Sequence, residues 1–479
     1  MFNPSMEGQL LVCKKNKSGG STISFVAGEG QQTAVLVLGP SLTRKQGSET
    51  LPQTRRMLED LAAVWESFQD AEEGQEGTDD LGQSLMRHSR LYRACMGTHI
   101  AQLDACAKSG SDAEHLASGS LPAGQAREYE RQRARVAECH AVWHLTEVLY
   151  LAAAAEESAT APLLDWLHMS FYPDFGIVRR LEARTVAPDA AALEALLALC
   201  RSALLQGCVR ETALCLGMLA AHLPSESRYL QVAAALVLET PLVGAATALR
   251  EFMPRFQAWR SKCARLQEAA AAEGCGRAAG LLALLSGDER ALQACGCSWL
   301  ELAAAHLLYV DPGQRRSHLP ALAQRCAAWR GLAVAALPPY QRILHALLCD
   351  DAVLALRVAA AFMQPWLPAH LADLLQHAGA LPAALEAEGR SALLLRHADA
   401  LPPVLWPVAL RYLRRLPGPA ARARAAAILR RVAPASDRDA RALRAAALEA
   451  GLPETAADLG QAWALRLWQV RVTALLFLC

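Results

Sequence analysis

His140 and His144 stand four residues apart, with Glu147 three further on, inside CHAVWHLTEVLYL. On a helix that spacing stacks both imidazoles on one face, the arrangement helical zinc sites use. A metal-dependent enzyme built on this pair would need a further ligand. No Cys or second carboxylate motif completes the set, and the helix around it is apolar, so no stoichiometric metal is expected in the purified protein. Cys295-Gly296-Cys297 is close-spaced but lacks a distant CxxC or HxxxH partner, and reads as buried or idle thiols. Cys200, Cys208 and Cys215 straddle a helix turn and read as packing. Neither GxxxxGK[ST] nor GxGxxG occurs. The loop Ser18-Gly19-Gly20-Ser21 has no Lys after its glycines and no helix behind it, both of which phosphate binding of that kind requires. A GxSxG elbow is likewise missing. The expectation is a chain with no catalytic residues and no cofactor.

One further chemistry is open to the side chains. Residues 411–444 hold ten arginines, Arg411, Arg414, Arg415, Arg422, Arg424, Arg430, Arg431, Arg438, Arg441 and Arg444, against Asp437 and Asp439. A patch of this kind can bind RNA phosphates, so an RNA-binding α-helical repeat is the alternative function. Only Tyr412 interleaves as an aromatic, which favours a solvated face. Phe252, Phe256 and Trp259, and Trp366 near His370, recur at helical spacing and read as core rather than as a ligand box.

The elements around these residues are almost all helices. Over 139–171, Val142, Leu145, Leu149 and Ala152 repeat at helical spacing, widened by Trp143, Val148 and Leu151. A polar break follows, with Ser158 and Thr160 as N-cap types and Pro162 suited to a first turn. Leu163, Leu164, Trp166 and Leu167 then start a second helix. Helices are also predicted over 52–69, with Met57, Leu58, Leu61, Val64, Trp65 and Phe68 inward, and over 81–107. An acidic loop at 70–80 and a Gly/Ser-rich disordered insertion at 108–124 flank the latter. From 190 onward a loose phrase recurs, a helix end, a glycine and a new helix, at Gly207, Gly287, Gly379 and Gly451. Glycine there suits the left-handed C′ position, and the short turns make neighbouring helices antiparallel. The spacing is irregular, so the fold expected is an irregular α-helical solenoid rather than a regular repeat array.

Three β-type runs stand apart near the N-terminus: QLLVC (9–13), STISFVA (21–27) and TAVLVLG (33–39). Three strands cannot bury both faces and leave two open edges. They read as a piece that completes a partner's sheet by strand addition, or as a small meander packed on the helices. Strand alternation makes Leu11, Cys13, Ile23, Phe25, Val35 and Val37 the candidate inward residues.

Composition is consistent with this organisation. The 479 residues are 53% hydrophobic but only 6% aromatic, so Leu and Ala must fill the core. A net charge of +1 gives no overall pull toward nucleic acid or anionic lipid. Fourteen scattered Cys without CxxC, and no apolar h-region before Glu7 and Lys14, point to reduced thiols in nucleus or cytosol. No apolar run reaches the length of a membrane span.

The ordered series LLVC (10–13), LYRACM (91–96), VWHLTEVLYL (142–151), PLLDWLHM (162–169), LLQGCVRETAL (204–214) and TPLVGAA (240–246) resembles the nucleoporin-85 family. FQAWRSKC (256–263), LLSGDERAL (284–292), WLELAAAHLLYVDP (299–312), PWLPAHLADLLQHAGAL (365–381), LLLRHADAL (393–401) and LWPVALRYL (405–413) extend it. The resemblance implies a scaffold of the Y-shaped outer-ring coat of the nuclear pore that catalyses nothing and supports mRNA export and protein import. It implies a three-stranded blade, here residues 1–40, inserted into an open WD-repeat β-propeller partner, and contacts with other Y-complex nucleoporins. It further implies a helical stack that folds back on itself, the ancestral coatomer element, here 41–459. The location implied is the nuclear envelope, with visits to kinetochores. No direct nucleic-acid contact and no transmembrane segment are expected. Residues 460–479, with Trp463, Trp468, Leu475, Leu476 and Phe477, read as a divergent hydrophobic tail that ends the chain early relative to the family.

Overall fold

The computed structural model describes residues 10–15, 21–26, 35–38, 51–73, 78–112, 123–152, 158–182, 189–242, 249–382 and 388–478. Strands β1 (Leu10–Lys15), β2 (Ser21–Val26) and β3 (Val35–Leu38) form an antiparallel sheet in that order. Helices α1 (Pro52–Glu73), α2 (Thr78–Asp112) and α3 (Ala123–Thr146) follow, and α3 runs into a π-helical turn, Glu147–Ala152. Next come α4 (Thr160–Phe171), α5 (Gly176–Glu182), α6 (Ala190–Leu205), α7 (Val209–His222), α8 (Ser227–Leu238), α9 (Leu249–Ala272) and α10 (Gly276–Leu285). Then α11 (Glu289–Ala294), α12 (Trp299–Ala305), α13 (Leu319–Trp329) and α14 (Pro339–Leu348). The last are α15 (Ala352–Phe362), α16 (Trp366–His377), α17 (Glu388–Ala400), α18 (Trp406–Arg414), α19 (Pro419–Arg431), α20 (Asp437–Glu449) and α21 (Pro453–Leu478). No described helix is long and apolar enough to cross a membrane.

Two compact units share these elements: one gathers Met1–His140 with Ala352–Cys479, the other is Ala141–Asp351. The helical segment expected over 41–459 is thus divided between them. In the second unit, α6 to α10 pack each on the next. The turns between them follow from glycine: Gly207 (φ 75°) ends α6 and Gly287 (φ 69°) ends α10, with Gly379 (φ 66°) and Gly451 (φ 69°) doing the same after α16 and α20. In each case the chain reverses in the left-handed region that a Cβ disfavours. In the first unit the chain returns on itself, with α1 packed against α18 and α2 against α16.

Several local expectations need correction. The acidic stretch at 70–80 is not one loop: Asp70–Glu73 extend α1, and Thr78, Asp79 and Asp80 open α2. The helix α2 also continues through Asp112, five residues beyond the predicted end; 113–122 lie outside the described residues. Asp79 and Asp80 fall in the first turn of α2, where the helix dipole favours negative charge. Ser158 and Thr160 do not cap α4. Its N-cap is Ala159, without a side-chain cap. The Ser158 and Thr160 hydroxyls instead donate to the Pro312 carbonyl at 3.4 and 2.9 Å, while Ser158 Oγ accepts locally from the Thr160 N–H at 3.4 Å. At the C-terminal end no element breaks at 460, since α21 runs on to Leu478. Trp463 is half-buried and donates to Asp437 at 3.1 Å, whereas Trp468 is 64% exposed. The side chains of Leu475, Leu476 and Phe477 lie outside the described ones.

Candidate functional site

The residues first considered for chemistry are dispersed or engaged in packing. His140 is half-buried, and burial together with the Arg93 charge holds its pKa below the ordinary value. His144 and Glu147 are buried, Glu147 within the π-helical turn. Among the described residues no group of three His, Cys, Asp or Glu is close enough to hold a metal ion. Phe252, Phe256 and Trp259 are buried and stack in series at 5.6 and 6.1 Å, continued by Tyr309 at 6.2 Å. Trp259 Nε1 donates to the Leu236 carbonyl at 2.9 Å, so this row joins α8 to α9. Cys200, Cys208 and Cys215 are buried between helices. Cys295 and Cys297 are not: both are half-buried, with sulfurs 3.1 Å apart.

The arginine stripe is largely neutralised by acids on neighbouring helices. Arg411 meets Glu66 at 3.5 Å and Arg415 meets Asp70, both on α1. Arg414 meets Glu449 at 2.8 Å on α20, and Arg430 meets Asp458 at 2.8 Å on α21. Arg424 and Arg431 flank Asp399 of α17 at 2.8 and 4.0 Å, and Arg441 pairs with Asp437 on its own helix. Each such exposed pair is worth little in stability. Together they leave few of the ten guanidiniums to face a polyanion.

The most developed polar arrangement joins the two ends of the described helical chain. Gln69 on α1 donates from Nε2 to Asp373 Oδ2 on α16 at 3.1 Å. Arg390 on α17 donates from Nε to Asp373 Oδ1 at 2.5 Å and from Nη2 to Gln69 Oε1 at 2.7 Å. Three side chains thereby close a ring, and Asp373 and Gln69 are buried within it. Beside the ring lies an aromatic cluster. Trp65 and Tyr412, both with no exposure, meet at 4.8 Å. The Tyr412 hydroxyl and His370 Nε2 are 2.9 Å apart, and His397 meets both rings edge-on, His370 at 5.6 Å and Tyr412 at 4.9 Å. Phe68 meets His377 edge-on at 4.8 Å. Burial drives the His397 pKa down to about 3, and drives His370 well below the ordinary value with His397 adding to the effect. Both rings are therefore neutral packing elements at physiological pH. The sequence marked Trp65 and Phe68 correctly as core, whereas Tyr412, read as a lone aromatic on a solvated face, is fully buried in this cluster. The same reading gave no sign that Gln69, Asp373 and Arg390 meet, because a contact across some three hundred residues leaves no local pattern.

The β-sheet is the other candidate surface. Leu11 aligns with Phe25, and Cys13 with Ile23, which aligns in turn with Leu36. Val35 and Val37 align with Ser24 and Thr22, the alternate set. The six candidate residues therefore do not share one face: Leu11, Cys13, Ile23 and Phe25 stand together, and Leu36 takes the β3 position in their row.

Among the described residues, helices packed on one another and tied by a buried polar seam dominate. Comparison with known proteins gives the family. The curated Nup85 nuclear pore complex protein of Rattus norvegicus is 24% identical over 330 residues, covering 67% of this chain and 48% of the rat protein. The chain thus spans about half the length of the curated relative it matches. The family profile of the Nup85 nucleoporins matches residues 42–474, beyond the last phrase quoted from the sequence. On that match, extending over most of its length, the chain belongs to the Nup85 nucleoporin family.

Proposed function

We propose that this chain is a structural scaffold subunit of the outer-ring Y-complex of the nuclear pore, that it supports mRNA export, protein import and pore assembly, and that it catalyses nothing. The family match over residues 42–474 carries this reading and places the chain at the nuclear pore complex in the nuclear envelope. Support comes from the way polar side chains are used: in Gln69–Asp373–Arg390 and along the arginine stripe they join helix to helix. Residues 1–40 form the piece donated to a WD-repeat β-propeller partner, 41–459 the helical scaffold that meets other Y-complex nucleoporins, and 460–479 a hydrophobic terminal segment. The order β1-β2-β3 leaves β1 and β3 as outer strands, which is what strand addition uses, and β3 also lies against α15. Leu11, Cys13, Ile23 and Phe25, with Leu36 in place of Val35 and Val37, are the residues to test as the packed face.

The test is capture of the propeller protein by the full chain and by a chain lacking residues 1–40, alongside nuclear-rim fluorescence of both. Loss of capture in the deletion, and in Phe25→Asp, is expected, because an unpaired carboxylate would be driven into the propeller core at a cost of several kcal/mol. Undiminished capture by the deletion would overturn the donated blade, and absence of the full chain from the nuclear rim would overturn the scaffold reading. The RNA-binding alternative predicts salt-dependent RNA binding lost in Arg430→Ala/Arg431→Ala. The ion pairs of both arginines argue against it.

A further inference from the structure

The half-buried sulfurs of Cys295 and Cys297 sit in the short connection between α11 and α12, 3.1 Å apart. A disulfide needs about 2.05 Å, so the sulfurs must close by roughly one ångström. The connection between them has room to adjust: Gly296 is in the left-handed region at φ 71°, and nothing lies within 4 Å of the position its Cβ would take. A third group is aimed at the pair. Arg330, at the C-terminal end of α13, is held by the carbonyls that end α11, Nη1 donating to Gln293 at 3.0 Å and Nη2 to Leu292 at 3.1 Å. From that anchored position its Nη2 lies 3.0 Å from Cys297 Sγ and 3.7 Å from Cys295 Sγ.

We propose that Cys295 and Cys297 form a thiol–disulfide modification site, reversibly oxidised to an intramolecular disulfide by exchange with a small-molecule disulfide of the glutathione class. One cysteine thiolate attacks a sulfur of oxidised glutathione. A bond forms between them, the glutathione S–S bond breaks, and one glutathione thiolate leaves. The second cysteine gives up its proton and attacks the mixed disulfide, expelling the second glutathione. Two protein thiols and one glutathione disulfide become one protein disulfide and two glutathione thiols, so atoms and electrons balance. Arg330 holds the attacking thiolate by its charge. The first proton therefore leaves this pair early: hydrogen bonding between the sulfurs and the Arg330 charge draw the Cys295 pKa down to about 6. Other cysteines go the opposite way, burial pushing Cys208, Cys263 and Cys326 up to about 12 and Cys215 and Cys349 to about 11. Cys95, Cys106 and Cys349 are half-buried too, so selectivity for this pair follows from the neighbouring sulfur and the Arg330 charge.

The test uses the full chain equilibrated with mixtures of reduced and oxidised glutathione, then alkylated and read by mass spectrometry of the tryptic peptide 291–315. The peptide should become lighter by two hydrogen atoms and refuse alkylation, reversibly, at glutathione ratios that leave Cys208 and Cys263 alkylatable after unfolding. Cys297→Ser should instead retain one glutathione on Cys295. In the reduced chain, the first alkylation of the pair should have its pH midpoint below the ordinary thiol value, and Arg330→Met should move it upward while the circular dichroism spectrum is unchanged. Stable glutathione adducts on the unsubstituted pair, no reaction at all, or a midpoint at the ordinary thiol value of about 8.5 would each overturn the proposal.

Discussion

Removing the Asp373 carboxylate should loosen the seam between α1 and α16–α17. Asp373 is only 3% exposed and Gln69 8%. Arg390 donates to both, with 21% of its side chain still reaching water. Breaking a buried ion pair by deleting one partner typically costs about 3–5 kcal/mol, because the remaining charge stays buried without compensation. The partial access of Arg390 to water places Asp373→Ala at the lower end, about 3 kcal/mol. Asp373→Asn keeps the shape and one hydrogen bond, and should lose roughly half as much, the worth of a charge-assisted bond made neutral. Hydrogen exchange of the α1 and α16 amides is the suitable assay, since it reports this unit by itself. At 1.4 kcal/mol per factor of ten, Asp373→Ala should accelerate exchange there on the order of a hundredfold. The triple variant Gln69→Leu/Asp373→Leu/Arg390→Met, which removes every polar partner, should recover most of the loss. Acceleration of less than about fivefold in the alanine variant, or a triple variant no more stable than the single one, would refute the account of the ring as a closed, mutually dependent network.

Glycine substitutions should separate conformation from crowding. Gly379→Ala meets open space at φ 66° and should cost about 1 kcal/mol, whereas Gly287→Ala at φ 69° would set its Cβ 2.3 Å from the Tyr309 carbonyl oxygen and should cost well over 2 kcal/mol, read from melting temperature. Acid should weaken the first unit. Burial depresses His99 to about 4, His397 to about 3 and His370 well below its ordinary value, so unfolding lets each bind a proton; their contribution is complete above about pH 6.5 and falls by about 1.4 kcal/mol per histidine for each pH unit below it. Melting between pH 7.5 and 5 should show that decline, and His99→Phe should make it shallower. Arg430→Ala should change stability by less than about 1 kcal/mol in denaturant titration, as its 2.8 Å partner Asp458 is 55% exposed.

Much of the fold was legible because its determinants are local. The positive-φ glycines at 207, 287, 379 and 451 were readable from a helix end followed by Gly, and the inward residues of α1 from their spacing. Where local and tertiary partners compete, the sequence misleads. Ser158 and Thr160 are cap types by chemistry, yet their hydroxyls turn to the Pro312 carbonyl, more than a hundred and fifty residues away. The strands illustrate a narrower limit. Alternation can be read within each strand, but the register between β2 and β3 depends on the connection joining them. A shift of one residue exchanges Leu36 for Val35 and Val37 in the row of Ile23.

The seam marks the deeper boundary of what a sequence can say. Gln69 and Arg390 each sit at the edge of an apolar helical pattern, where a polar residue ordinarily means solvent. Asp373 falls between Leu371 and Leu374 on a helix buried nearly all round. A carboxylate within such a helix has to be compensated, so its presence predicts a partner without saying which. The partner is fixed by how far the chain travels before returning, which is the sum of many irregular turns. In a scaffold this is also where function resides: the same seam that hides its pairing from local inspection joins sequence-distant helices into one unit. Reactive groups concentrated in a pocket would leave a motif, but cohesion distributed over Gln69, Asp373, Arg390, His370 and Tyr412 leaves only residues that look, one at a time, like ordinary surface or core.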